Sequence, residues 1–423
     1  MLEKLERIWK LKDVRNKILF VIYMLIVFRI AAHIPISGIN TDQLRLFLQG
    51  NQILGLLNVF TGGTIENFSL VMLGVGPYIT ASIIFQLLGM VIPQIEELQK
   101  EGESGQKKIS MYTRLATVPL ALLQAFSLIA LLQRSQQGIL GDITSVKLMV
   151  ILLSVTAGTM FLLWIGELIT EQNVGNGISI LIFAGIISAL PTVVQNAIIN
   201  YTSADLYTYI LFLIIAVITV VGVVFISEGQ RNIPIQYAKQ GRMGSGGSSA
   251  KTHLPLRVNM AGVIPIIFAV SVVLFPPMIA QFFIGRSDVI GSISRLVLDI
   301  FNNQLAYGVL YFVLVFGFTF FYTSIVFKPE KIAENLQNQG GFIPGIRPGK
   351  QTEQYLSHVM NKLVLSGALF LSIIAVLPLA VRAFTGRESL AVGGIGLLIV
   401  VSVAIEIAKQ IEAQLTMYEY DRI

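Results

Sequence analysis

Apolar residues in this chain neither alternate with polar ones nor keep to one narrow stripe. They come in long blocks, and short polar clusters punctuate the blocks. Ten blocks stand out, at about 18–34, 70–92 (with an apolar prelude from 53), 112–133, 146–169, 178–199, 206–227, 260–284, 304–327, 360–381 and 389–408. A helix crosses about 30 Å of hydrocarbon with about 20 mostly apolar residues, and a charge at the bilayer centre costs about 3 kcal/mol. Almost no charge lies inside the blocks, so the pattern predicts an all-α membrane protein of ten transmembrane helices.

The second block is too long for one crossing and too broken for a straight helix. Ile53 to Phe60 is apolar. Thr61-Gly62-Gly63-Thr64 and the pair Glu66-Asn67 follow, and Gly74-Val75-Gly76-Pro77 interrupts the second apolar run. Pro77 removes a backbone donor, and the glycines lower the cost of a break. Irregular backbone at membrane depth survives only inside protein or beside a water-filled cavity. Two readings stand: a proline-kinked helix after a long external loop, or a re-entrant segment at the mouth of a pathway, with a full helix from about Pro77 to Ile92.

Basic residues orient the spans. With the N-terminus in the cytoplasm and sides alternating, 22 of the 30 Lys and Arg fall on cytoplasmic segments, seven fall opposite, and Arg29 lies within the first span. Both termini are therefore expected in the cytoplasm. Before the first block, Met1 to Lys17 carries six basic residues, with Leu2, Leu5, Ile8 and Trp9 at helical spacing. That predicts an amphipathic helix in the membrane interface. No small-x-small cleavage pattern follows the block, so it is expected to be retained. Two cytoplasmic loops are long, 228–259 and 328–359. The first holds the flexible-coil tip Gly244 to Ser249. The second holds Gly340 to Gly349, too rich in Gly and Pro for a helix, with Arg347 at its tip.

Composition narrows the chemistry. There are no cysteines, which excludes disulfides, thiolate metal sites and thiol nucleophiles. The three histidines, His33, His253 and His358, are scattered, and no metalloprotease, serine-hydrolase or phosphate-loop motif occurs. No enzymatic activity, metal or cofactor is expected. The net charge of +6 suits loops that face anionic lipid or acidic partners. Ionisable groups near the spans (Arg29, Glu167, Arg382, Glu406) sit close to helix ends, whereas a coupled transporter usually needs one near mid-membrane. Aliphatic stripes remain: Ile79 and Ile83; Ile178, Ile182 and Ile186; Ile264, Ile267 and Val270; Ile395 and Ile399. They serve either packing and lipid contact or a hydrophobic constriction that gates by excluding water.

Four segments, in order, resemble the SecY family of protein-conducting channels: Met72 to Ile83, Gly175 to Ile180, Asn259 to Pro265, and Gly345 to Gly349. The resemblance extends over essentially the whole chain. It implies two pseudo-symmetric five-helix halves, 18–200 and 206–408, around a central pore, with a cytoplasmic tail at 409–423. It implies a pore ring of Val75, Ile79, Ile182, Ile186, Ile264, Ile267 and Ile399. A re-entrant plug helix is implied at about 60–70 (Phe60, Thr61, Gly62, Gly63, Thr64, Ile65, Glu66, Asn67, Phe68). A lateral gate is implied between the second/third and seventh/eighth spans, at Gln86, Gln124 and Asn259. Arg242, Arg347 and Lys350 would meet the motor ATPase SecA or the ribosome. The implied partners are SecE, SecG, signal sequences, translocating polypeptides and anionic lipids, in a bacterial plasma membrane. The alternative is a secondary solute transporter, which also uses broken helices.

Overall fold

A computed structural model of the protein describes residues 11–36, 41–49, 57–58, 61–134, 144–199, 206–237, 252–284, 288–385 and 388–420. A helix stands at each of the ten predicted positions. The first, α1, runs Lys12–Ala32 and α2 is Thr41–Gln49. Helix α3 is Gly76–Val91, with Pro77 in its first turn, where a missing N–H costs nothing. Pro93 pushes Ile92 into extended backbone (φ −103, ψ 112), and the chain bends by 102° into α4, Pro93–Lys100. On exposed α4, a hydrogen bond to Lys100 at 2.7 Å holds the Glu96 carboxyl below its usual range. Helices α5 (Glu103–Arg134), α6 (Ser145–Glu171), α7 (Gly177–Ile199) and α8 (Leu206–Glu228) complete the first part. Strands β1 (Gln230–Tyr237) and β2 (Thr252–Arg257) follow. Then come α9 (Ile264–Phe283), α10 (Val289–Asn302), α11 (Gln304–Val326), α12 (Pro329–Asn338), β3 (Gly341–Phe342), α13 (Lys350–Thr385) and α14 (Glu388–Tyr420).

Packing sorts the long helices into two groups with the same internal order. In one, α3 packs on α5, α5 on α6, α6 on α7, and α1 on α6 and α7. In the other, α9 packs on α11, α11 on α13, α13 on α14, and α8 on α13 and α14. Two seams join them: α9 against α3 and α5, and α14 against α7 and α1. One hydrophobic core runs through both groups, from Phe28 and Ile65 to Ile267 and Val403. By length and apolarity, α5, α6, α8, α11 and α13 can each cross a bilayer, and the bent α3–α4 pair makes a sixth; shorter apolar helices cover Gly177–Thr192 and Ile264–Pro277. Pro191 and the pair Pro276-Pro277 lie inside α7 and α9. The all-α membrane class is as predicted.

Several local expectations need correction. The 228–259 loop holds two strands: β1 pairs antiparallel with β2, from Gln230↔Arg257 to Ile235↔Thr252, and with β3 at Gln236↔Phe342 and Tyr237↔Gly341. The 328–359 loop holds α12, β3 and the first turns of α13. These pieces share a second small core of Ile233, Leu256, Phe327, Ile343, Leu356 and Val359. Burying that apolar surface, at about 25 cal/mol per Å², is what makes the two loops one platform. Residues 12–17 continue into α1 rather than forming a separate interface helix, and 1–10 lie outside the described residues. The 409–423 tail is helical through Tyr420 as part of α14. There Lys409 donates to the Ser227 carbonyl at 2.9 Å and Gln414 to that of Asn173 at 2.6 Å.

Candidate functional site

Where α3, α7 and α9 converge they enclose a cavity of about 70 Å³. Ile79 enters from α3 and Val75 from the residue that caps it; Ile182 enters from α7; Ile267, Val270, Leu274 and Phe275 enter from α9. The 3.6-residue helical period brings these side chains onto one face of each helix. Leu57, Thr61 and Leu73 close one side. The wall is mostly hydrocarbon, broken by Thr61, Thr80, Gln124 and Ser271. The space admits a few water molecules and no polypeptide. Four of the seven predicted ring residues (Val75, Ile79, Ile182, Ile267) meet here. Ile186 and Ile399 are buried and Ile264 half-buried in the same core, off the cavity wall. Of the Ile395–Ile399 stripe, the Ile395 side chain lies outside the described residues. Leu274 and Phe275 were missed, although they continue the Ile267–Val270 stripe by one turn.

The segment that closes the cavity is not the predicted helix. Phe60 lies outside the described residues. From Thr61 to Val75 the chain is a succession of turns. Short bonds build it: Phe68 N to the Ile65 carbonyl at 2.9 Å, Met72 N to Ser69 at 3.0 Å, and Gly74 N to Val71 at 2.9 Å. The backbone explains why. Gly62, Gly63 and Gly74 have φ of +74, +78 and +56, and Phe68, fully buried, has φ +43. A side chain in that region costs about 1–3 kcal/mol, so the surroundings must hold Phe68 there. Thr64 is buried and its hydroxyl donates to the Thr61 carbonyl at 3.1 Å. Glu66 bonds Asn58 through its backbone N (3.1 Å) and pairs with Arg45 at 3.0 Å. That pair is well exposed and worth at most about 1 kcal/mol.

Two glycines make the fit close. A Cβ on Gly62 would lie 2.6 Å from the Gly185 Cα on α7, and one on Gly158 of α6 would lie 2.1 Å from the Leu70 carbonyl oxygen. On the other side, Ile36 N donates to the Phe68 carbonyl at 2.9 Å and Leu70 N to that of Ile34 at 3.0 Å. Arg29 Nη1 donates to the Gly62 carbonyl at 3.1 Å. The sequence marks Arg29 as a charge inside a span but gives no hint of this partner.

Of the predicted gate residues, Gln86 lies on α3, Gln124 on α5 and Asn259 five residues before α9, the three helices that meet at the first seam. Gln86 donates to Ser82 Oγ at 3.2 Å, Gln124 to Thr80 Oγ1 at 3.5 Å, and Asn259 to the Gly262 carbonyl at 3.2 Å. None of these bonds crosses the seam. The Gln86 Oε1 and Asn259 Oδ1 atoms are buried with no partner. Each such oxygen costs about 1–3 kcal/mol.

At the platform, Gly345 (φ +83) and Gly349 (φ +96) turn the chain so that Arg347 is exposed between them. Ile343 anchors the loop in the small core, Ile346 N donates to its carbonyl at 3.0 Å, and Thr352 Oγ1 donates to the Arg347 carbonyl at 2.9 Å. Lys350 opens α13, also exposed. Arg242 and the tip at 244–249 lie outside the described residues.

Residues 69–408 match the family model described as SecY. The chain is 43% identical to a protein translocase subunit SecY of Halalkalibacterium halodurans over 432 residues, covering 99% of each. It is 44% identical to that of Corynebacterium glutamicum, covering 97% of each. It is 42% identical to that of Bacillus subtilis, again covering 99% of each. Among solved structures it is similar to a protein-conducting channel (TM-score 0.64, 17% identity, 94% of this chain and 91% of that one). It is also similar to Sec61 in the canine ribosome-channel complex (TM-score 0.62, 16% identity, 94% and 91%).

Proposed function

This chain belongs to the SecY family, and from that premise we propose that it forms the channel through which a protein translocase passes unfolded polypeptides across a membrane. The observation that carries the reading is the cavity: Val75, Ile79, Ile182 and Ile267 converge on it from three helices, and the turn-rich segment from Thr61 seals one side. A conduit for polypeptide must grip any sequence weakly and stop ions. Branched aliphatic side chains do both, because they offer no polar partner and an empty aliphatic waist expels water. With Ile186, Ile264 and Ile399 flanking the wall, the ring can widen around a chain and close behind it. The segment 61–70 is the plug, a second seal beneath the ring.

The seam between α3/α5 and α9 is the lateral gate. A signal sequence is an apolar helix that must reach lipid. It stabilises the open seam by binding there and not to the closed state. Gln86, Gln124 and Asn259 bond only on their own sides of the seam, so their hydrogen bonds do not hold it shut.

The protein performs no bond chemistry, and the push comes from partners. The platform carrying Arg347 and Lys350 is the docking face for a ribosome or for the motor SecA, and Arg242, between β1 and β2 in the sequence, is a further expected contact. SecE and SecG are the accompanying subunits, and anionic lipid meets the basic cytoplasmic face. The membrane is the bacterial plasma membrane, with both termini in the cytoplasm. Membership of the family displaces the solute-transporter alternative. The test is to trap a stalled secretory polypeptide in the assembled complex: adducts on the cavity wall support the reading, and a chain that never meets the wall sinks it.

A further inference from the structure

We propose that Arg29 is a releasable latch that holds the tip of the plug, and that the plug opens by swinging about a fixed anchor on the exit of α1. The inference rests on reading 61–70 as the channel's plug. Two kinds of contact tie that segment to α1 and the residues just after it. At Ser69 the tie is backbone to backbone, a bridge between Pro35 and Ser69 flanked by the bonds Ile36 N to Phe68 and Leu70 N to Ile34. At Gly62 the tie is one side chain, the Arg29 guanidinium on the Gly62 carbonyl at 3.1 Å. The first cannot let go without unzipping a paired backbone. The second lets go by a rotation of one long side chain.

Arg29 suits the role. It stands in the last turn of α1, where the helix dipole favours a cation, and the His33 ring Nδ1–H donates to its carbonyl at 2.8 Å. Among the described residues no carboxylate lies within ion-pair reach of it, so the plug carbonyl is its acceptor. A charge inside a span is costly unless it does something there. The pocket for the tip is built for contact at Gly62, whose Cα rests on Gly185, so small displacements break the fit at once. The exposed Arg45–Glu66 pair adds little holding strength.

The chain has no cysteine of its own, so single thiols report cleanly. Ile65→Cys probes the tip side and Ser69→Cys the anchor; both positions are fully buried. The full complex, in nanodiscs with thiol-free partner subunits, is treated with a membrane-impermeant maleimide. Arg29→Ala should speed labelling at position 65 by about tenfold or more, the loss of one charge-assisted hydrogen bond. Labelling at position 69 should stay slow. Arg29→Lys, which keeps a cationic donor, should restore most of the protection at 65. If the alanine variant does not assemble, Arg29→Gln takes its place with the same expected split. Unchanged labelling at 65 overturns the latch. Equal acceleration at both positions overturns the anchor and assigns Arg29 a general structural role. Labelling does not require conduction, so ion leak through Ile79→Asn reports separately on the channel reading.

Discussion

The contact between Gly62 and Gly185 yields a matched pair of substitutions. Gly62→Ala and Gly63→Ala both force a side chain into left-handed backbone, at φ +74 and +78. That conformation costs about 1–2 kcal/mol for an L-residue. The two differ in what the new Cβ meets. At Gly63 there is nothing within 4 Å; at Gly62 the Gly185 Cα lies at 2.6 Å. Backbone cannot rotate away, so the plug must lift or α7 must shift. Overpacking of this kind adds about 1–3 kcal/mol. The seated plug should therefore be disfavoured about 5- to 30-fold by Gly63→Ala, and by a further factor of about 5 to 150 by Gly62→Ala. The assay is ion leak through the complex reconstituted in vesicles without substrate, normalised to protein inserted. Gly62→Ala should leak at least about fivefold faster than Gly63→Ala. Equal leak from the two would mean that the plug is not seated against α7, and the packing argument would fail.

Replacing Ile79, Ile182 and Ile267 with Asn should hydrate the waist and raise resting ion leak by about an order of magnitude or more, since an aliphatic constriction seals by excluding water; unchanged conductance would remove the ring. Arg347→Glu should cut motor-driven export at least about tenfold, the scale of a lost charged contact, with thermal stability unchanged because the side chain is exposed. Normal export by that variant would remove the platform as the docking face.

Legibility tracked the physics of each region. Block length located the long helices, because a helix that crosses lipid is apolar on all its faces over about 20 residues. Pro77 marked the start of α3 correctly, since a proline costs least in the first turn of a helix. The platform was hidden. Ile233 and Ile235 alternate with Asn232, Pro234 and Gln236, a strand period, but the prolines and the Gly/Ser tip read as loop. The plug backbone was half visible. Gly62 and Gly63 announced irregularity, yet the turns also depend on Phe68 at positive φ, and surrounding contacts impose that conformation. Four ring positions fell on the cavity wall because α3, α7 and α9 converge there. Leu274 and Phe275 lie one turn beyond the Ile264, Ile267 and Val270 stripe, in a block so uniformly apolar that no local pattern sets them apart. The Arg29–Gly62 bond joins positions 33 apart, and no local pattern encodes it. The apolar block ends at 408, but the helix continues to Tyr420, with Lys409 bonded to the Ser227 carbonyl and Gln414 to that of Asn173.

The most direct test places single cysteines at Ile79, Ile182 and Ile267 on the cavity wall, and at Ile198 and Leu213 on exposed lipid-facing surface. A secretory polypeptide carrying one thiol-reactive probe is stalled midway through the assembled complex. Adducts at the three wall positions, shifting in step as the stall point moves along the polypeptide, with none at Ile198 or Leu213, are the predicted result. A stalled chain that labels the lipid-facing sites and leaves the wall untouched would contradict it.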